Sequence, residues 1–147
     1  MDTNKAAIAI VFWGDLVLVG ERSGGDLVFP GGFIKCGEKG YQAAAREAEE
    51  ETGMRAEMEQ FHLNSDWNSS RLFYMGEYLG IGDRKNTWEL KSVRWMRIED
   101  ALNKLSYSSN RHYLKKAVRI RELKSGRGGH RFSTVSIVDQ NGWCYET

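Results

Sequence analysis

The chain is 147 residues long, which suits one domain with a real core and is too short for two. Apolar residues make up 41% and charged residues 28%, the ordinary balance of a soluble globular protein. A formal charge of +1 gives bulk electrostatics no reason to draw nucleic acid or a membrane, and the longest apolar run, Ala6 to Trp13, is far short of a membrane span.

Lys5 to Trp13 is rich in Ala, Ile and Val, Gly14-Asp15 supplies turn chemistry, and Leu16 to Glu21 resumes the apolar run, so two tightly joined strands are predicted. Arg22 to Asp26 is a polar, glycine-rich loop, and Leu27-Val28-Phe29 a short strand ending at Pro30. Gly31 and Gly32 read either as a plain turn or as a place where backbone approaches a phosphate or an ion. A helix is predicted from Tyr41 to Thr52, with Gly53 as its left-handed cap.

Beyond it, Arg55 to Leu63 is expected as a strand and Asn64 to Ser70 as a polar loop containing Trp67. Arg71 to Leu79 and Trp88 to Met96 are further strands, separated by the charged loop Gly80 to Asn86. Ile98 to Leu105 begins a short amphipathic helix, and Arg111 to Leu123 is a second long helix with Ser108 or Ser109 near its cap. Strands in several runs with helices between and after them predict an α/β fold, a mixed sheet covered on both sides.

Ser125 to Gly129 is a glycine-rich linker, and Phe132 to Val138 followed by Asn141-Gly142 reads as a hairpin. The domain is therefore expected over 1–124. Residues 125–147 are expected as an edge hairpin of the same domain, a contact in a homodimer, or a cover for the site. The basic residues Lys115, Lys116, Arg119, Arg121, Lys124, Arg127 and Arg131 are read as the solvated side of a helix, with a grip on polyphosphate as the sharper alternative. Cys36 and Cys144 form no C-x-x-C pair, implying neither a disulfide framework nor a zinc site, and Cys36 is read as a packing residue. The N-terminus has no charged-then-apolar signal segment, so a cytoplasmic protein is expected.

The helix from Tyr41 carries the chemistry. At about 100° per residue, Tyr41, Ala44, Ala45, Ala48 and Thr52 share one arc, while Glu47, Glu50 and Glu51 share the next with the small Ala43. Arg46 is placed to hold one of these carboxylates in a fixed rotamer, and Glu49 points away as a solvated residue. Three acids on adjoining turns repel one another, a conflict that a divalent cation would remove. Oxygen donors alone, with no His or Cys on that face, suit Mg²⁺ or Mn²⁺ rather than zinc.

Gly32, five residues, Glu38, seven residues, then Arg46-Glu47-Ala48-x-Glu50-Glu51-x-Gly53-Met54 resembles in full the signature of the Nudix hydrolases, Gly-x5-Glu-x7-Arg-Glu-U-x-Glu-Glu-x-Gly-U with U apolar. Its seven fixed residues, at roughly 7% usage each, coincide by chance on the order of once in 10⁸ starting positions. The resemblance implies an α/β/α sandwich and a pyrophosphohydrolase dependent on Mg²⁺. It implies that Glu47, Glu50 and Glu51 act as metal ligands or base, that the Gly32 carbonyl completes the ion's shell, and that Arg46 orients the acids. Glu38 is implied as supporting. Relatives differ in the general base; by position Glu89 is the candidate here, with Glu77 in reserve.

Hydrolysis of a diphosphate needs its negative charge neutralised and a water presented in line. The expected substrate is a nucleoside diphosphate linked to another moiety, in the nucleoside triphosphate or dinucleoside polyphosphate class. Alternatives are a diphosphoinositol polyphosphate or a nucleotide sugar, and, from another class, a catalytically silent nucleotide-binding module; nucleic-acid decapping is a further option. Trp67, Tyr74 and Trp88 read either as core aromatics or as stacking platforms for a base.

Overall fold

A computed structural model describes residues 2–66 and 68–125. The sheet is built around β1 (Asp2–Trp13), which turns at Gly14 (φ 60°) into its antiparallel neighbour β2 (Leu16–Glu21). On its other edge β1 runs parallel to β6 (Arg71–Ile81), in register from Ala6 opposite Arg71 to Phe12 opposite Glu77. β3 (Leu27–Val28) and β7 (Ser92–Arg97) pair with β2, β4 (Gly31–Lys35) with β1, and β5 (Met54–Met58) with β6, all antiparallel. The expected mixed sheet is present.

Side chains alternate along β1 between two cores. Ile8, Ile10 and Phe12 face α2 (Ile98–Lys104) and α3 (Ser108–Lys124), packing with Phe73, Leu105, Leu114 and Ala117. Ala7, Ala9 and Val11 face α1 (Gly40–Thr52), packing with Ala43, Ala44 and Ala48. Burial on both faces is why β1 reads as a continuous apolar run, and helices on both faces make the α/β/α sandwich. Alanine meeting alanine lets α1 settle close to the sheet, and that height positions the site. No helix among the described residues is long and apolar enough to cross a membrane.

Several local expectations are corrected. Gly31 and Gly32 belong to a strand rather than a turn, because they pair with Ile8 and Ala7 of β1, so closely that a Cβ on Gly31 would come 2.6 Å from the Ala7 carbonyl oxygen. The strand after α1 stops at Met58, and Phe61, Leu63 and Asn64 are buried beyond it, with Leu63 N–H donating to the Phe73 carbonyl at 2.7 Å and Asn64 Oδ1 accepting the Phe73 N–H at 2.8 Å. β7 begins at Ser92 rather than Trp88: the Trp88 and Glu89 N–H groups each donate to Asn86 Oδ1 at 3.2 Å, and the backbone joins β2 from Lys91, whose N–H donates to the Glu21 carbonyl at 2.6 Å. Tyr107 precedes α3, whose first turn contains Ser108 and Ser109. Cys36 is exposed, not packed. The predicted linker and hairpin after Ser125, with Arg127, Arg131 and Cys144, and the loop residue Trp67 lie outside the described residues.

Candidate active site

α1 starts where Lys39 N–H donates to Gln42 Oε1 at 2.9 Å and ends at Gly53 (φ 82°), whose N–H returns to the Glu49 carbonyl at 2.8 Å. Its middle turns project Arg46, the hub of the site. Arg46 Nε and Nη2 grip Glu38 Oε2 and Oε1 at 2.7 and 3.0 Å, and Nη2 also donates to the Phe33 carbonyl at 3.0 Å. Nη1 reaches Glu47 Oε2 at 3.0 Å and Glu50 Oε1 at 3.3 Å. Only a planar fork of five donors could hold three carboxylates and a carbonyl at once. The bond to Glu38, with the other carboxylates, raises the Arg46 pKa further. Partial burial works to raise the Glu38 pKa, but the bonds from Arg46 and from Lys35 N–H, the latter at 3.0 Å, outweigh it and hold that carboxyl below its ordinary value.

The acids differ in depth. Glu51 is 2% exposed, and its Oε1 accepts the Gly31 N–H at 3.2 Å. The side chains of Glu47 and Glu50 are 13% and 31% exposed. Glu51 neighbours both Glu47 and Glu89, and its pKa is pushed up to about 9, first by burial, then by the nearby Glu89 and the charge of Glu47. Burial also raises Glu47, against the pull of Arg46.

Gly32 lies directly over this group: a Cβ there would come within 2.5 Å of the Glu47 carboxylate. Two buried carboxyl groups raised by desolvation, beside backbone with no side chain, fit a hard dication. Among the described residues no three His, Cys, Asp or Glu side chains stand in positions to hold a metal ion by themselves.

Glu89 arrives on the loop 82–91, which is fastened to the C-terminus of α1. The Lys85 and Asn86 N–H groups donate to the Glu50 carbonyl at 2.9 and 2.7 Å, and Gly82 N–H to that of Gly53 at 2.7 Å. Helix carbonyls that would otherwise be orphaned are thereby satisfied. Glu49 is not merely solvated: its Oε2 accepts the Asp83 N–H at 3.1 Å. At the loop's far end Leu90, 3% exposed, sits on Gly20 of β2, where a Cβ would meet its Cδ1 at 2.5 Å.

Glu47 and Glu89 open into a cleft of about 540 Å³ whose lining also includes Gly31, Gly32, Arg22, Lys35 and Arg71. Among the described residues none of those three cations forms a salt bridge within 4.0 Å. Phe33 and Tyr107, 55% and 43% exposed, line it as well. The NUDIX domain family model matches residues 2–117.

The chain belongs to the Nudix family. Hydrolysis of phosphoric anhydride bonds is the reaction class that comes with it, and Nudix hydrolases use divalent metal ions. The fold is similar to a UDP-X diphosphatase, with TM-score 0.58 and 20% identity over 78% of this chain; the chain spans 62% of that protein's length. It is also similar to a Nudix hydrolase from Nitrosomonas europaea, with TM-score 0.63, 21% identity, 79% of this chain and 88% of that one. An Ap4A hydrolase from C. elegans, solved as a binary complex, gives TM-score 0.57 and 22% identity over 76% of this chain and 94% of its own. No curated protein matches.

Within this Nudix site the structure brings together Gly32, Glu38, Arg46, Glu47, Glu50, Glu51 and Glu89. It takes Glu77 elsewhere: Arg121 grips it through Nε and Nη2 at 2.6 and 3.1 Å while lying 4.5 Å over the Phe12 ring. Lys124 pairs with Glu59 at 2.7 Å and Lys116 donates to the Leu63 carbonyl, so these members of the basic cluster brace the fold. Tyr74 is core, 2% exposed, with its hydroxyl against Gly40, whereas Trp88 is 72% exposed beside Glu89. Sequence reasoning missed Arg22, Lys35 and Arg71 as cleft residues; each is an isolated cation with no spacing pattern, and only the fold gathers them.

Proposed function

We propose that this Nudix enzyme is a Mg²⁺-dependent pyrophosphohydrolase, with Mn²⁺ as a possible substitute, that cuts the diphosphate of a nucleoside triphosphate or dinucleoside polyphosphate. The observation that carries the reading is the acid group itself: Glu47, Glu51 and Glu89 gathered beside Gly31 and Gly32, next to a cleft that also holds three cations without salt bridges. Glu47, Glu50, Glu51 and the Gly32 carbonyl would hold the ion. When bound, the ion neutralises diphosphate oxygens and makes a water acidic enough to attack near neutral pH.

The chain's own residues do the rest. Arg46 fixes the rotamers of Glu47 and Glu50 through its anchor on Glu38, so that the acids need not reorganise as substrate arrives. Glu89, on the cleft wall, takes the proton of the attacking water. Arg22, Lys35 and Arg71 receive phosphate oxygens beyond the scissile pair, which favours a polyphosphate over a nucleotide sugar with a neutral far end. Trp88 stacks on a base. Residues 1–124 form the domain, and 125–147 extend it or make a homodimer contact.

The test is product identification by mass spectrometry after incubating a panel of nucleoside triphosphates, dinucleoside polyphosphates, nucleotide sugars and diphosphoinositol polyphosphates with Mg²⁺, with Glu50→Gln and Glu51→Gln alongside. The expected result is cleavage of a polyphosphate by the parent and a loss of roughly 100-fold or more in each variant. Parent-level turnover in both variants would overturn the mechanism, and tight nucleotide binding without product would favour a silent binding module.

A further inference from the structure

Two carboxyl groups that face each other across a loop and a helix do not hold themselves in place. Two like charges brought together repel. The separation of Glu51 and Glu89 must therefore be set by the backbone that carries them. Glu51 is fixed by α1. Glu89 rides on the exposed middle of the loop 82–91, between the anchor of Lys85 and Asn86 on the Glu50 carbonyl and the seat of Leu90 on Gly20.

One side chain joins the two halves. Arg84 Nε donates to the Glu51 carbonyl at 2.8 Å, and Arg84 Nη2 donates to the Leu90 carbonyl at 2.9 Å. The first belongs to the residue bearing one acid, the second to the residue next to the other. Because a guanidinium is rigid and planar, the two carbonyls are held at a fixed spacing; a lysine, with one point of charge on a flexible stem, cannot do this. Arg84 is not among the residues lining the cleft, so it acts through its neighbours rather than on substrate.

We propose that Arg84 is a positioning residue for the hydrolysis, setting the distance between the Glu51 and Glu89 carboxyl groups by bridging the main-chain carbonyls of Glu51 and Leu90. This rests on the reading of Glu89 as the base. A double-mutant cycle on the panel compound turned over fastest by the parent, at saturating Mg²⁺, separates the two. Arg84→Gln is expected to lower kcat about 10- to 100-fold with KM within about twofold, as does loss of a group that orients a working residue. In the Glu89→Gln background the same change is expected to cost less than about twofold, because there is no base left to position. Arg84→Lys is expected to behave like Arg84→Gln, and it serves as the cycle's partner if the glutamine variant does not fold. Hydrogen exchange is expected to rise in residues 84–91 and not in α1.

Losses that multiply in the double variant would overturn the proposal, as would full rescue by lysine or unchanged exchange in the loop. Parent-level turnover in Glu89→Gln alone would instead overturn the assignment of the base, and the positioning role with it.

Discussion

Arg46 and Glu38 meet edge to edge, with Nε to Oε2 at 2.7 Å and Nη2 to Oε1 at 3.0 Å, and this pair anchors a guanidinium that also orients Glu47 and Glu50. Arg46→Lys keeps the charge and loses the fork. The expected outcome is a rise of roughly 10- to 100-fold in the Mg²⁺ concentration needed for half-maximal activity, read from a metal titration of the initial rate. Glu38→Gln should move the same constant in the same direction, since it frees the anchor.

Glu51 makes the metal-free protein sensitive to base. Its folded pKa of about 9 lies above the ordinary carboxyl value of 4.5, so the proton it holds stabilises the fold fully below about pH 4.5. That contribution is lost as pH rises toward about 9. Calorimetry in the presence of a chelator should show the melting temperature falling across this window, and Glu51→Gln should flatten the fall and melt higher at pH 8. Mg²⁺ should act with the opposite slope, raising the melting temperature more at pH 8 than at pH 6, because the ion must displace the proton to bind.

Gly32 should tolerate no side chain. In Gly32→Ala the new Cβ would lie 2.5 Å from the Glu47 carboxylate, so Glu47 must swing away from Glu51 and from the cleft. Activity at fixed Mg²⁺ is expected to fall about 10- to 100-fold while the metal-free melting temperature changes little, since Glu47 gains access to water as it leaves. An unchanged rate would remove Gly32 and Glu47 from the ion's shell.

Arg71 and Arg22 should discriminate among substrates. For a nucleoside triphosphate, Arg71→Gln or Arg22→Gln is expected to raise KM about tenfold or more, the worth of one charge-assisted hydrogen bond. With a nucleotide sugar the same variants should stay within about twofold of the parent. Steady-state kinetics on both compounds give the comparison.

The legible part of this site is the part that a helix repeats. Gly32 to Met54 carried the family because α1 and β4 hold those residues at fixed spacing, and Gly53 closed the helix as its sequence suggested. What escaped are contacts between distant segments that obey no period. The strand character of Gly31 and Gly32 depends on β1 lying alongside, and the buried face of α1 includes Glu51 because Gly31 supplies an N–H to it. Glu89 was reached by its place before β7, but the reason it faces Glu51 was not: backbone groups of the loop 82–91 bond to the last carbonyls of α1, a relation that hydrophobic patterning cannot show. Trp88 and Glu89 were drawn into a strand for the same reason.

The alanines beneath α1 reach further than packing. Because Ala7 and Ala9 meet Ala43, Ala44 and Ala48 with only methyl groups between backbone and backbone, the helix rides low, and its acids are sunk into a medium of weak screening. The acidity of Glu51 is thus set first by its burial, to which uncharged neighbours on the same helix contribute. A larger residue at Ala44 would lift the helix like a shim and admit water beneath it. The enzyme's working pH would then shift although no ionisable group had been touched.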